Sequence, residues 1–536
     1  MRVKSPTVDE FVHLPVGYSL LVDGDFFTDP INPPFMRMWA ALPLLVNPPR
    51  WSTPVDEMRQ RFWLGAYRFM RENRERYHSM FLSGRCMVLI LGLVLGWYVF
   101  YWTKCLYGIK CALGALFIYT LSPNLLAHTR LITADFGGAC FIFLTLFHFW
   151  RWRRTDNMKH LCAGALFFGL ALLSKLTGIF LTPILVLLFV LDARNELKSY
   201  QRKDIRRLCG RIGVFAAVSL AVVHAGYGFQ GILPLLGDLP FQSSLLEGVK
   251  RALPGFMPVP LPEGFILGID HALRHDADLP TGSFFLLGEL SSLGWWYYFI
   301  VAFLVKVPVT IQAFGIAALI LKLKERGKQP ICDELFLALP AASFFVLISA
   351  FTSLNIGFRH ILMILPMVIV LGARVFRFLF SEEKLGAACV ATGCLWLLIT
   401  TIRIFPNHLT YFNELAGGPE GGQRILSDSN LDWGQDLMQL KNYLDRRENP
   451  GIKLGYFGRT DPRVYGIEFE RLTDKAQTGL IVLSMTFFQG RPYLYPVPDE
   501  SKVYEFAPAD HFAWLRKHEP VEKVGHTLLV FEIQGK

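Results

Sequence analysis

The chain has 536 residues, 52% of them hydrophobic and 18% charged, with 45 Phe and 12 Trp, and its mean hydropathy is +0.35. Soluble domains carry about 25% charged residues, so this composition excludes an ordinary soluble enzyme and points to a multi-pass membrane protein. The net charge of +10 then reads as Lys and Arg gathered on one side of a bilayer, not as a nucleic-acid footprint.

In chain order, the first segment (1–84) opens with "SPTVDEFVHLPVGYSLLVDGDFFTDPINPPF" over residues 5–35. It is acidic and bounded by prolines, and is expected to be a loop holding Asp9, Glu10 and His13. Residues 55–80 carry basic and aromatic side chains at helical spacing but are too polar to span. They are expected to form an amphipathic helix on the membrane surface; the alternative is a solvated helix packed on the C-terminal domain.

The membrane domain is expected over 85–405. Apolar runs near the length a bilayer needs, about 17–25 residues, occur at 86–103, 105–122, 135–150, 212–230, 295–321, 334–351, 358–376 and 385–403. The run 161–191 is too long for one upright helix and is interrupted by "SKLTG" at 174–178. It predicts two short helices turning near Lys175, which makes about ten spans. The nine cysteines all lie between residues 86 and 394 and form no CxxC pair, so no zinc or redox motif is present.

The tail, 406–536, has ordinary soluble composition. "LDWGQDLMQLKNYL" (431–444) and "HFAWLRKH" (511–518) read as helices; "KLGYF" (453–457), "GLIVLSMTF" (479–487) and "HTLLVFEI" (526–533) read as strands. A small α/β domain is expected.

Charge sets the orientation. The segments 151–160, 193–211, 322–328 and 374–384 hold eighteen Lys and Arg between them, whereas the short loops 122–134 and 352–357 hold only Arg130. The basic side is cytoplasmic. The opening segment, the loop 231–294 and the tail are then extracytoplasmic, in a cell inner (plasma) membrane.

On that outer edge, ionisable residues from five segments converge: Asp9, Glu10 and His13; His128, Arg130 and Asp135 in "SPNLLAHTRLITADFGG"; Lys175; and Arg359 and His360 in "NIGFRHILMILP". Such groups at membrane depth are functional candidates. Each also has a structural reading: Lys175 snorkelling, Arg359 pairing with a loop acid, Asp135 capping its helix, His128 packing. In "DSNLDWGQDL" (428–437), Trp433 beside acids and carboxamides is a candidate sugar-stacking surface. The competing reading is that Asp432 caps a helix and Trp433 packs.

The opening block "VDEFVHLPVGYSLLVDGDFFTDPINPPFMRMWAALPLL" resembles the first extracytoplasmic loop of GT-C glycosyltransferases, in the branch of protein O-mannosyltransferases and aminoarabinose transferases. The likeness continues through "SPNLLAHTRLITADFGGACFIF", "GSFFLLGELSSLGWWYYFIVAFLVKVP", "NIGFRHILMILP" and "LTYFNELAGGPEGGQRILSDSNLDWGQDL", and is to the phospholipid-carrier-dependent enzymes of the family 39 type. A membrane helix precedes the Asp-Glu block in that family. Only eight residues precede it here, so the family's first helix is expected to be missing.

The resemblance implies transfer of a sugar from a polyprenyl phosphate to a hydroxyl or amine on a glycan, lipid or protein. A lipid phosphate leaves as an anion and needs cations, which suits Lys175 and Arg359, with Arg130 in reserve. The acceptor needs a base, and Asp9 matches that family position. Glu10 and Asp135 would orient it, hold the sugar or bind a cation. His13, His128, His360 and Trp433 are candidate substrate contacts. One displacement implies inversion. A divalent cation is an open question, since some GT-C enzymes use one; Asp9, Glu10, Asp135 and His128 are the residues available to hold it. The competing classes are a non-catalytic accessory relative and a secondary transporter.

Overall fold

The computed structural model describes residues 1–193, 202–275, 284–324, 333–352, 354–499 and 502–534. Parts of the basic segments 193–211 and 322–328 therefore lie outside the described residues.

The opening segment is helical rather than a loop. Thr7 starts α1 (Val8–Val22) with a capping box: its hydroxyl accepts from the Glu10 N–H, and the Glu10 carboxylate accepts from the Thr7 N–H. The Gly- and Pro-rich stretch that suggested a loop is confined to the turn between α1 and α2 (Phe35–Val46). Next comes α3 (Val55–Glu72), broken at Arg61. The helix expected over 55–80 thus ends early, and Tyr77 begins the next one. Met58, Ala66 and Phe69 of α3 are fully buried, and Arg459 of the tail stacks over Trp63 at 5.1 Å. This helix thus packs mainly against α1 and also touches the tail.

The apolar body follows in order: α4 (Tyr77–Tyr107), α5 (Ile109–Leu121), α6 (Pro123–His128), α7 (Ala134–Thr155), α8 (Met158–Ser174), α9 (Leu181–Ala193), α10 (Arg202–Gly226), α11 (Ser244–Ala252), α12 (Glu263–His275), α13 (Tyr298–Lys306), α14 (Val309–Lys324), α15 (Leu335–Phe351), α16 (Ile364–Gly372) and α17 (Lys384–Arg403). Among the described residues three helices are long and apolar enough to cross a bilayer: Tyr77–Tyr107, Arg206–Gly226 and Lys384–Arg403. The count rises to four if α13 and α14 are one bent span. Leu385 at 80% exposure and Leu93 at 70% make sense against lipid.

The helices do not by themselves carry a count of ten, because several expected spans are broken or short. The run 161–191 breaks at Lys175, whose backbone is extended, and a 3-10 turn (Leu176–Phe180) leads into α9. The run 295–321 was expected to be continuous; it bends by 106° between α13 and α14. Pro308 lies at that bend, and a residue before proline disfavours the helical region. The run 358–376 opens as a 3-10 turn (Phe358–Ile361) before α16.

In the tail, α18 (Gly418–Gly422) is one short turn, and α19 (Leu437–Asp445) starts six residues later than the helical pattern suggested. The stretch before it, 428–436, is a compact loop. A mixed five-stranded sheet runs in the order Phe469–Arg471, Ile452–Gly455, Gly479–Ser484, Leu528–Ile533, Glu522–Val524. Leu437, Leu440 and Leu444 of α19 pack on one face of it. The strand read over 479–487 ends at Ser484 and turns into a short helix, Met485–Phe488. Residues 513–517 form a 3-10 turn.

Candidate active site

The site is built at element ends, where side chains escape the packed helices. Asp9 lies in the first turn of α1, Asp135 in the first turn of α7, Lys175 at the break after α8, and Arg359 in the 3-10 turn before α16. They form one chain of charges. Arg359 Nη1 donates to Asp9 Oδ2 at 2.6 Å and to Asp135 Oδ2 at 3.3 Å; Lys175 Nζ donates to Asp135 Oδ1 at 2.5 Å. Asp135 is almost fully buried, so two cations are needed to hold it there. The Asp9 side chain is 26% exposed, and Arg359 is its ion-pair partner.

Cation capacity is left over. A guanidinium has five N–H donors and an ammonium three. Arg359 Nε is buried without a hydrogen-bond partner, and so are His128 Nδ1 and His360 Nε2. Both histidines are within electrostatic reach of Asp135, Lys175 and Arg359. Burial pushes the His128 imidazole down to about 3, so it is neutral. Buried polar nitrogens are normally paired; unpaired ones grouped around two cations suit a polar, anionic guest.

The other candidates are placed differently. Glu10 is sealed. Arg85 of α4 donates to it through Nε at 2.7 Å and Nη2 at 2.6 Å, and the Thr7 and Ile132 N–H groups donate at 3.0 and 3.1 Å. Burial pushes its carboxyl up, but Arg85 and the two N–H groups outweigh that and hold it below the usual carboxylate value. Glu10 thus has four donors on it and no exposure, and it lies apart from the Asp9–Arg359–Asp135–Lys175 chain. His13 is a tie between α1 and the 122–134 segment, Nδ1 lying 2.8 Å from the Ile132 carbonyl. Arg130 donates to the Pro406 carbonyl at 2.8 Å and shares a small cavity with Met1, Lys4 and Arg85, so it does not join the Asp135 cluster. Trp433 is 2% exposed, and the Arg359 guanidinium covers its ring at 4.4 Å. That face is not open for a sugar. Asp432 does not cap a helix either: its carboxylate accepts from Gly434 N–H at 3.2 Å and Thr486 N–H at 3.3 Å. Burial pushes it up to about 7.

Sequence reasoning missed three groups. Arg85 is a charge inside the apolar α4, away from its ends, a pattern that flags a paired residue. Lys306 ends α13 fully buried, donating to the Leu409 carbonyl at 2.9 Å and the Asn430 carbonyl at 2.6 Å; its signal was a lysine in an apolar run before Pro308. The buried Lys4–Asp436 pair joins two distant segments and left no local signal.

The residues named for a divalent cation do not gather into one ligand set. Among the described residues no three His, Cys, Asp or Glu side chains gather to hold a metal ion. Glu10 is saturated, and Asp9 and Asp135 already face Arg359 and Lys175. A cavity of about 660 Å³ lies among α7, α8, α9 and α10. Its walls are apolar side chains of α7, α8, α9 and α10, such as Phe149, Phe168, Leu185 and Phe215, and one wall includes Ile179, four residues beyond Lys175.

A family model described as dolichyl-phosphate-mannose-protein mannosyltransferase matches residues 78–224. The match runs from the start of α4 to near the end of α10, and so takes in Asp135 and Lys175 but not Asp9 or Arg359. No protein of curated function matches the chain. Two solved structures are similar in shape: ArnT from Cupriavidus metallidurans bound to undecaprenyl phosphate (14% identity, 98% of this chain and 94% of that one, TM-score 0.48), and the Archaeoglobus fulgidus oligosaccharyltransferase in complex with Zn and sulfate (12% identity, 94% and 69%, TM-score 0.44). The family resemblance that the comparisons carry is thus to dolichyl-phosphate-mannose-protein mannosyltransferases, over residues 78–224.

Proposed function

We propose that the chain is a membrane glycosyltransferase that moves a sugar from a polyprenyl phosphate to an acceptor hydroxyl or amine on the outer side of a cell inner membrane. The observation that carries this reading is the pairing of Asp9, partly exposed, with Arg359, whose buried Nε has no partner. A base and an anion-binding edge then stand on one guanidinium.

In this reading the acceptor oxygen or nitrogen attacks the anomeric carbon from the side opposite the phosphate. The new bond forms, the bond from the anomeric carbon to the phosphate oxygen breaks, and the acceptor proton passes to the Asp9 carboxylate. The electron pair leaves with the lipid phosphate, so no general acid is required; glycosidases need a second carboxyl for that task. Configuration inverts. Arg359 Nε and the spare Lys175 N–H bonds stabilise the departing phosphate, His128 and His360 offer further polar contacts, and Asp135 holds both cations in place. The apolar cavity, lined by Leu172 and Ile179 on either side of Lys175 in the chain, suits the isoprenoid chain. A secondary transporter would set its ionisable groups near the midplane between repeats, whereas these four stand at helix ends and breaks.

The test uses purified full-length protein with polyprenyl-phosphate sugars extracted from bacterial membranes, and mass spectrometry of free polyprenyl phosphate. Time-dependent release that requires an added acceptor fraction supports the reading. No release with any acceptor fraction, from protein that binds the donor, assigns the chain to the accessory class.

A further inference from the structure

The tail loop 427–437 grips both halves of the Asp9–Arg359 pair. On the Arg359 side, Ser429 Oγ donates to the Ile356 carbonyl at 2.7 Å, and Asn430 Oδ1 accepts from the Phe358 N–H at 2.8 Å. Gly357 lets the two segments meet, because a Cβ there would run into Ser429 Oγ. On the Asp9 side, the Ser5 N–H donates to the Gln435 carbonyl at 2.9 Å, Ser5 Oγ donates to the Gly434 carbonyl at 3.0 Å, and the Val8 N–H donates to the Trp433 carbonyl at 3.0 Å. Trp433 touches both sides: its carbonyl holds the residue before Asp9, and its ring lies under the Arg359 guanidinium at 4.4 Å.

Trp433 is itself held rigidly. Its N–H donates to Gln435 Oε1 at 2.8 Å, and Gln435 Nε2 donates to the Leu431 carbonyl at 2.9 Å. Asp432 is fixed by Gly434 and Thr486 on its other side. Two carboxylates pull Arg359 through one nitrogen, Nη1. Nothing in that contact fixes the rotation of the guanidinium plane, and a stacked aromatic face does.

From this we infer that Trp433 is a positioning residue: it sets the plane of the Arg359 guanidinium so that Nη1 meets Asp9 while the Nε edge faces the donor phosphate. This inference rests on the proposed transfer reaction. It makes the tail domain part of the transfer site through a residue that need not touch substrate.

The probe is undecaprenyl phosphate, titrated into the detergent-purified full-length chain with binding read by calorimetry. Cation–π contacts at desolvated sites are worth enough for about a tenfold effect. Trp433→Leu is expected to weaken binding about tenfold, and Trp433→Phe, which keeps an aromatic face, by about threefold or less. In an Arg359→Lys background, which loses the planar fork, Trp433→Leu is expected to add less than about twofold, because contacting residues couple. An equal Trp433→Leu penalty in both backgrounds, or none in the wild type, overturns the positioning role. If Trp433→Leu does not fold, Trp433→Met takes its place, filling the space without a ring; binding equal to that of Trp433→Phe overturns the inference, and weaker binding supports it. Failure of the wild-type chain to bind, or an Arg359→Lys variant that binds normally, refutes the donor-phosphate reading itself and is distinct from either Trp433 result.

Discussion

Asp9 and Glu10 are neighbours in sequence, each paired with an arginine, and their surroundings are opposite. Glu10 is fully buried with four donors around it. Asp9 is partly exposed and meets Arg359 through one oxygen. The helix explains the divergence: successive residues point about 100° apart, so the first turn of α1 sends one carboxylate into the body and leaves the other partly exposed. Arg85 is as closed as its partner, whereas Arg359 keeps an unpaired Nε. Two similar acid–arginine pairs thus differ in saturation. The saturated one ties α1 to α4, and the unsaturated one is the pair to which the proposed reaction assigns the chemistry.

That comparison breaks most visibly at Glu10. Glu10→Gln leaves Arg85 buried without its counter-charge, which typically costs about 3–5 kcal/mol. Thermal unfolding in detergent is expected to show that loss, with turnover per folded molecule largely kept. Unchanged unfolding with abolished turnover would reverse the assignment and make Glu10 the chemical group. Lys175→Ala is expected to have the next largest effect. A charge-assisted contact is worth about 1.5–3 kcal/mol, so undecaprenyl phosphate binding is expected to weaken about ten- to a hundredfold. Normal affinity would make Lys175 a partner of Asp135 and nothing more.

The smallest effect is expected at Asp432, a third acid with no cation on it. Burial pushes it up to about 7, so between about pH 4 and pH 7 the native state keeps a proton that the unfolded chain releases. Stability contributed at this position falls as pH rises through that window and levels off above it. Asp432→Asn removes the titration. The melting temperature of the wild type is expected to drop from pH 5 to pH 8 more than that of the variant; parallel drops would show that other groups carry the dependence.

Much of this was legible in the sequence where a local signal existed. "SKLTG" interrupts an apolar run too long for one helix, and the break falls at Lys175. Pro308 gave a signal of the same kind that an unbroken apolar count concealed. The Gly- and Pro-rich residues 24–34 were real turn signals, but they obscured α1, which carries Pro15 inside it. Asp9, Asp135, Lys175 and Arg359 were picked out as candidates, and the fold brings them together. Their partners were not legible. Nothing near Glu10 announces Arg85, and nothing near Trp433 announces that a guanidinium from another segment covers its ring. Pairings between distant segments depend on how helices pack, which composition and periodicity do not encode.

The central claim is that Asp9 is the base and Glu10 is not, and one paired measurement tests it most directly: turnover and undecaprenyl phosphate affinity of Asp9→Asn in folded, purified protein. Asn keeps the shape but accepts no proton. General-base catalysis contributes about 10²–10⁴-fold, so release of polyprenyl phosphate is expected to fall by that order while affinity for the lipid phosphate, held by Arg359 and Lys175, stays within a fewfold of wild type. Asp9→Asn protein that turns over at the wild-type rate would contradict the account.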